Sequence, residues 1–268
     1  QTSTAGEPIS LAFTGEVVFS GWADGKIRAH DADSASELWL IDNAHHGGVT
    51  ALTASHNKKF LVSGGAHGEV RVWEIRTREM IVHLKQHTMS ITSLALMGDD
   101  SHVVSASRDR SVYLWDLKTE QRKASLTQRM GGFNAVALLP DYVQIATVGQ
   151  EKSVTYWDLR EPESLKMLRC GAEQFTIAAF TPPPTASSPQ DDLTTQTVLA
   201  TGGADSMVRL WDFKQGAVFA EGPGHSGTIR SLQFSPDGKQ LVSVGEDGAA
   251  LVWNVFLESD APAAPPPA

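Results

Sequence analysis

A serine, a histidine and an aspartate in hydrogen-bonding reach of one another can make a nucleophile. The imidazole takes the hydroxyl proton and the carboxylate orients the ring. The segment "SASRDRSVYLWD" at 105–116 supplies Ser105 and Asp109, and His87 stands 18 residues before Ser105. The same types return as His225, Ser243 and Asp247, and a tryptophan, Trp115 or Trp253, follows each aspartate by 6 residues. Both sets use the spacings 18, 4 and 6. A catalytic triad is needed once, at one cleft, so a group repeated at a fixed period points to architecture.

Other chemistry is not signalled. His45 and His46 are adjacent, with no Cys or carboxylate at ligand spacing, so no metal is expected. "SGGAHGE" (63–69) opens no helix and makes no phosphate loop, so no cofactor is expected and the chain reads as non-enzymatic. A net charge of −9 argues against nucleic acid and anionic membrane as partners, since both need a basic field. Cys170 is the single cysteine and cannot form an internal bridge, which fits a reducing, cytoplasmic setting. No charged-then-apolar leader or membrane-length apolar run is read, and the opening "QTSTAGEP" reads as a fragment.

The elements that must position these residues repeat. "SGWADGKIRAHD" (20–31), "SGGAHGEVRVWE" (63–74), "TVGQEKSVTYWD" (147–158), "TGGADSMVRLWD" (201–212) and "SVGEDGAALVWN" (243–254) copy the stretch at 105, making six. Trp73, Trp115 and Trp157 are 42 residues apart, as are Trp211 and Trp253. A second phrase precedes the copies: "VTALTA", "ITSLAL", "FNAVAL", "FTIAAF" and "IRSLQF". These short runs read as strands punctuated by Gly, Asp and Asn turns, four per unit, with no helix.

A four-stranded unit of this period ending in Trp-Asp resembles the WD40 family, which folds as an all-β propeller. The resemblance covers residues 9–257, with repeats ending near Asp31, Glu74, Asp116, Asp158, Asp212 and Asn254. It implies that His87, Ser105, Asp109 and Trp115, and likewise His225, Ser243, Asp247 and Trp253, form a structural hydrogen-bond network within a blade. The other copies depart from the pattern: His67 stands where Asp is expected, Arg129 and Gly171 align with the His, and His30 replaces Trp. The last repeat lacks a convincing outer strand, and residues 1–8 read as a linker unable to supply one. The expectation is therefore a seven-bladed ring whose N-terminal blade or closing strand lies upstream in the same chain. Residues 181–196 read as a loop insertion and 258–268 as a disordered Ala/Pro tail.

The turns between second and third strands, with the loops that carry the His, form the face on which such proteins bind partners. Candidates there are Trp22, His67, Arg108, Arg110, Arg129, Met130, Gln150 and Lys152. Aromatic and Arg side chains suit interface anchors, whereas Trp22 could equally fill space beside His30. Phrases such as "GWADGKIRAHD" and "VGQEKSVTYWDLRE" look like the C-terminal propeller of cilia- and flagella-associated WD-repeat proteins. That resemblance implies a non-enzymatic scaffold in the axoneme or centriole, docking tubulin in microtubules and neighbouring proteins. The alternative is a peptide- or phosphopeptide-binding adaptor, such as a ubiquitin-ligase substrate receptor or signalling scaffold.

Overall fold

A computed structural model describes residues 6–180 and 197–255. The expected 181–196 insertion, the 258–268 tail and residues 1–5 lie outside them. Every element among the described residues is a strand. The chain divides into two compact units, 1–174 and 175–268.

The first unit holds four antiparallel sheets, each built from four strands in sequence order. They are β1 (Pro8–Phe13), β2 (Val17–Trp22), β3 (Ile27–Asp31) and β4 (Glu37–Ile41); β5 (Val49–Ala54), β6 (Phe60–Gly65), β7 (Glu69–Glu74) and β8 (Met80–Lys85); β9 (Ile91–Leu96), β10 (His102–Ser107), β11 (Ser111–Asp116) and β12 (Gln121–Thr127); and β13 (Phe133–Leu138), β14 (Gln144–Gly149), β15 (Ser153–Asp158) and β16 (Ser164–Arg169). The second unit holds β17 (Gln174–Phe180), β18 (Val198–Gly203), β19 (Met207–Asp212) and β20 (Ala217–Pro223), then a three-stranded sheet of β21 (Ile229–Phe234), β22 (Gln240–Gly245) and β23 (Ala250–Asn254). β1 begins at Pro8, one residue before the expected boundary; proline, lacking an N–H, is tolerated as a first strand residue.

The hydrophobic cores lie between neighbouring sheets. Phe19, Ile27 and Ala29 of the first sheet pack with Leu61 and Trp73 of the second. Val62, Val70 and Val72 of the second pack with Ile91, Val103 and Trp115 of the third. Val104, Ala106 and Val112 pack with Phe133, Ile145 and Trp157, and Val198, Ala200 and Val208 with Ile229, Leu232 and Leu241. Adjacent residues of a strand point to opposite faces, so Leu61 and Val62 serve different cores, as do Val103 and Val104. A strand buried on both faces needs consecutive apolar residues, which explains "FLVSGG" and "HVVSAS".

Two details recur. The register between third and fourth strands slips by one residue at the repeat's tryptophan, at Trp73, Trp115, Trp157 and Trp211, and at His30 in the first sheet. A bulge raises local twist and re-aims the side chain it carries. The innermost strands of the first unit are also stitched by side chains: Ser10 Oγ donates to Val49 O at 3.2 Å and Thr50 Oγ1 to Ile91 O at 2.6 Å. Asn134 Nδ2 donates to the carbonyl of Gln174, the last residue of the first unit, at 2.7 Å.

Candidate functional site

In the third sheet, Trp115 stands opposite Val103 in the β10–β11 register, and its indole Nε1 donates to Ser105 Oγ at 2.8 Å. His87, on the loop between β8 and β9, lies with Nε2 2.8 Å from the same oxygen and Nδ1 2.9 Å from Asp109 Oδ2. With the ring proton on Nδ1, one polar chain runs unbroken: indole N–H to Ser105, Ser105 O–H to His87, His87 N–H to Asp109. The N–H groups of Thr88 and Ser111 also donate to Asp109, each at 2.9 Å, as does the Ser111 hydroxyl. Burial pushes the Asp109 carboxyl up, but hydrogen bonds from His87, Ser111 and Thr88 outweigh it and hold the group far below the usual carboxylate range. Tyr113 stacks on the imidazole with ring centroids 4.1 Å apart.

The sixth sheet repeats the chain. His225 Nε2 lies 2.7 Å from Ser243 Oγ, its Nδ1 3.0 Å from Asp247, and Trp253 Nε1 donates to Ser243 at 2.8 Å. The backbone N–H groups of Ala249 and Ser226 draw Asp247 down to about 2. Neither set can act as a nucleophile. Ser105 and Ser243 are both 0% exposed, so no acyl group can reach either oxygen, and the indole already occupies a lone pair of each. Each set fastens a loop onto its sheet.

The remaining sheets keep the indole–hydroxyl bond: Trp73 to Ser63 and Trp157 to Thr147 at 2.8 Å, Trp211 to Thr201 at 2.9 Å. In the first sheet His30 holds the tryptophan position, and Trp22 turns inward to donate its Nε1 to Ser20 Oγ at 2.8 Å. The indole of Trp22 thus closes its own sheet from two residues away.

Three arginines complete three of the four sheets that lack a His–Asp pair; the fourth sheet carries Thr155 at that position. Arg28 Nη2 meets Asp24 at 2.8 Å and its guanidinium lies 4.2 Å over the Trp22 ring. Arg71 binds Glu69 and the carbonyl of Ala44, each at 2.7 Å. Arg209 meets Asp205 at 2.6 Å and Glu221 at 2.9 Å. Each lies eight residues after the Ser or Thr of its repeat, where the two complete sheets carry Tyr113 and Leu251. That spacing was readable from "KIRAHD", "VRVW" and "VRLW", although only the structure shows the cation reaching back to the second-to-third-strand turn.

The second sheet is half of each arrangement. His45 Nε2 lies 2.7 Å from Ser63 Oγ, but its buried Nδ1 has no hydrogen-bond partner among the described residues, and Glu69 stands 3.9 Å away. Burial foremost, with the Arg71 charge, pushes His45 down to about 4 against the opposing pull of Glu69. His67 does not enter the network; it is exposed and stacks on His46 at 5.5 Å.

The other candidate contact residues gather at one end of the third and fourth sheets. Arg110 Nη1 donates to Arg129 O at 3.2 Å, and Arg108 Nη1 stands 3.9 Å from Glu173 Oε1. Gln150, although exposed, turns its amide oxygen to the Gly132 N–H at 2.8 Å. Met130 is 73% exposed, while its N–H donates to Glu151 at 3.0 Å. Lys152 is exposed, and its backbone N–H donates to Gly149 O.

Comparison with known proteins agrees with the repeats. The family described as WD domain, G-beta repeat matches residues 185–212 and 216–254, and the Vps8 beta-propeller family matches residues 1–133. The chain is 34% identical over 252 residues to cilia- and flagella-associated protein 52 of Homo sapiens, covering 89% of this chain and 37% of that protein. The counterpart in Chlamydomonas reinhardtii is 33% identical over 263 residues, covering 92% and 39%. A WD repeat-containing protein 91 homolog of Dictyostelium discoideum is 43% identical over 61 residues, 23% of this chain and 8% of that protein. The chain thus spans about two-fifths of the length of the cilia- and flagella-associated relatives. With six repeats of one design folded as successive antiparallel sheets and matched along their length, the chain belongs to the WD40-repeat β-propeller family.

Proposed function

We propose that this chain is a non-enzymatic scaffold of cilia or flagella, docking tubulin of axonemal doublet or centriolar microtubules and neighbouring structural proteins. The observation that carries the reading is the 34% identity to cilia- and flagella-associated protein 52 across 89% of the chain. That breadth exceeds what the repeat signature requires, since the signature itself occupies a dozen residues per unit. The sealed serines support a binding role over a catalytic one. The exposed strand residues Ile9, Leu11 and Phe13 on β1, and Val242 and Val252 on β22 and β23, suit packing against a further sheet of the same protein. Co-sedimentation with taxol-stabilised microtubules across a salt series tests the reading. Pelleting that survives moderate salt supports a shape-matched dock, which a chain of net charge −9 needs against acidic tubulin. Absence of pelleting at every salt concentration removes direct tubulin docking. The second reading, a peptide-binding adaptor, is favoured by the cations gathered at the ends of the third and fourth sheets.

A further inference from the structure

The turn between second and third strands takes a left-handed residue in every sheet. Three sheets place glycine there: Gly25 (φ 80°), Gly68 (φ 80°) and Gly248 (φ 73°). Glycine adopts that conformation freely, whereas a residue with a Cβ is strained in it. The third and fourth sheets nevertheless place Arg110 (φ 72°) and Lys152 (φ 56°) at this position, and the fifth places Ser206 (φ 61°). Two adjacent sheets thus carry long cations where the backbone favours glycine. Left-handed residues other than glycine also stand at other turns, among them Lys58, Arg78, Asp100, Glu120 and Tyr142, so the backbone alone does not mark a site; the side chains carried at 110 and 152 do.

The surroundings of the two cations favour an anion. Asp109 is pinned by His87, Thr88 and Ser111, Glu151 accepts from the Met130 N–H, and Glu173 accepts from Asn134 at 2.9 Å. Asp109 and Glu151 therefore accept from donors of neighbouring backbone and side chains, while Glu173, on the loop after β16, accepts from Asn134 and pairs with Arg108 rather than with Arg110 or Lys152. The cations face outward: Arg110 and Lys152 are exposed, and the side chains of Lys152 and Arg129 have no hydrogen-bond or ion-pair partner among the described residues. Two unbranched apolar side chains flank them, Met89 at 52% and Met130 at 73% exposure. Methionine adapts to varied apolar partners.

We propose that this end of the third and fourth sheets docks an extended, glutamate-rich protein segment carrying apolar residues. Carboxylates would meet Arg110, Lys152 and Arg129 while an apolar side chain settles on Met89 or Met130. The proposal rests on reading the chain as a binding platform and names the chemistry of one partner.

Fluorescence anisotropy with a labelled glutamate peptide interrupted by phenylalanines, against the full 268-residue chain, tests it. The control peptide replaces every glutamate with lysine, and the variant is Arg110→Gly with Lys152→Gly. The glutamate peptide should bind, the lysine peptide should not, and added salt should weaken binding. The double variant should weaken it at least about fivefold, while its Tm stays level or rises because glycine relieves both turns. Equal binding of both peptides, no binding, or unchanged binding by the variant overturns the proposal. A lowered Tm also overturns it, because the two cations would then be holding the fold. A phosphoserine peptide bound more than about tenfold tighter than the glutamate peptide assigns the site to a different ligand and overturns this one. Microtubule pelleting by the wild-type chain, measured in parallel, separates this failure from that of the scaffold reading.

Discussion

Acidification should destabilise the second sheet through one buried imidazole. His45 is 2% exposed, and its pKa falls from an ordinary 6.5 to about 4. A base whose folded pKa is depressed keeps its full stabilising contribution above the unfolded value and loses it as pH falls toward the folded one. The unfolded chain binds the extra proton throughout that window. From these two values, lowering the pH from 7.5 to 5 should remove about 2 kcal/mol, and lowering it to 6 less than half of that. The chain has nine histidines, so the measurement must isolate this one. Urea unfolding followed by tryptophan fluorescence, at pH 7.5, 6 and 5, on the wild-type chain and on His45→Gln, does so. Glutamine can keep a hydrogen bond to Ser63 and does not titrate. The wild-type advantage over the variant should shrink by about 2 kcal/mol across the series. A flat difference would refute a neutral, desolvated His45. A difference that grows on acidification would show that Glu69, 3.9 Å away, holds the imidazole charged, and the electrostatic ordering given above would be wrong.

Trp115→Phe keeps most of the packing but strands Ser105 without its indole donor, and should cost about 1–3 kcal/mol in urea unfolding at pH 7.5. Thr50→Val removes the stitch to Ile91 O at nearly constant volume, and calorimetry should show a loss of about 1 kcal/mol. Gly25→Ala should lower stability by more than about 2 kcal/mol, because φ is +80° and the added Cβ would sit 2.0 Å from His45 O. The thermal midpoint reads this directly. Arg71→Gln should prove worse than Arg110→Gly in the same assay, since it leaves the buried oxygen of Ala44 with a weaker donor and Glu69 without its closest cation.

The sheets were legible in the sequence because their signals are short-range. Period-two runs, turn residues and a 42-residue interval between tryptophans fix strand order and count without tertiary information. The His87 and His225 sets were legible for the same reason, their spacing being identical. Trp22 was harder: sequence places it at a turn, and only the fold shows its indole folding back onto Ser20 where His30 has displaced the usual donor. Arg28, Arg71 and Arg209 were missed because a strand arginine in "VRVW" reads as a wet-face residue. Its partner depends on a missing His–Asp pair in another segment, a dependence invisible until the segments are side by side. Ser10, Thr50 and Asn134 escaped notice likewise, since each donates to a carbonyl about 40 residues away.

The placement of the cores between sheets has a consequence for how such a chain can change over generations. Because neighbouring residues such as Leu61 and Val62 answer to different interfaces, a substitution at one is felt by a single adjoining sheet. Errors therefore do not propagate down the array. One unit can lose its tryptophan, another its histidine and a third its aspartate, each compensated by a local arginine or a relocated indole, while the other interfaces keep their fit. An architecture divided in this way lets each copy diverge on its own, and leaves two neighbouring turns free to exchange glycine for arginine and lysine.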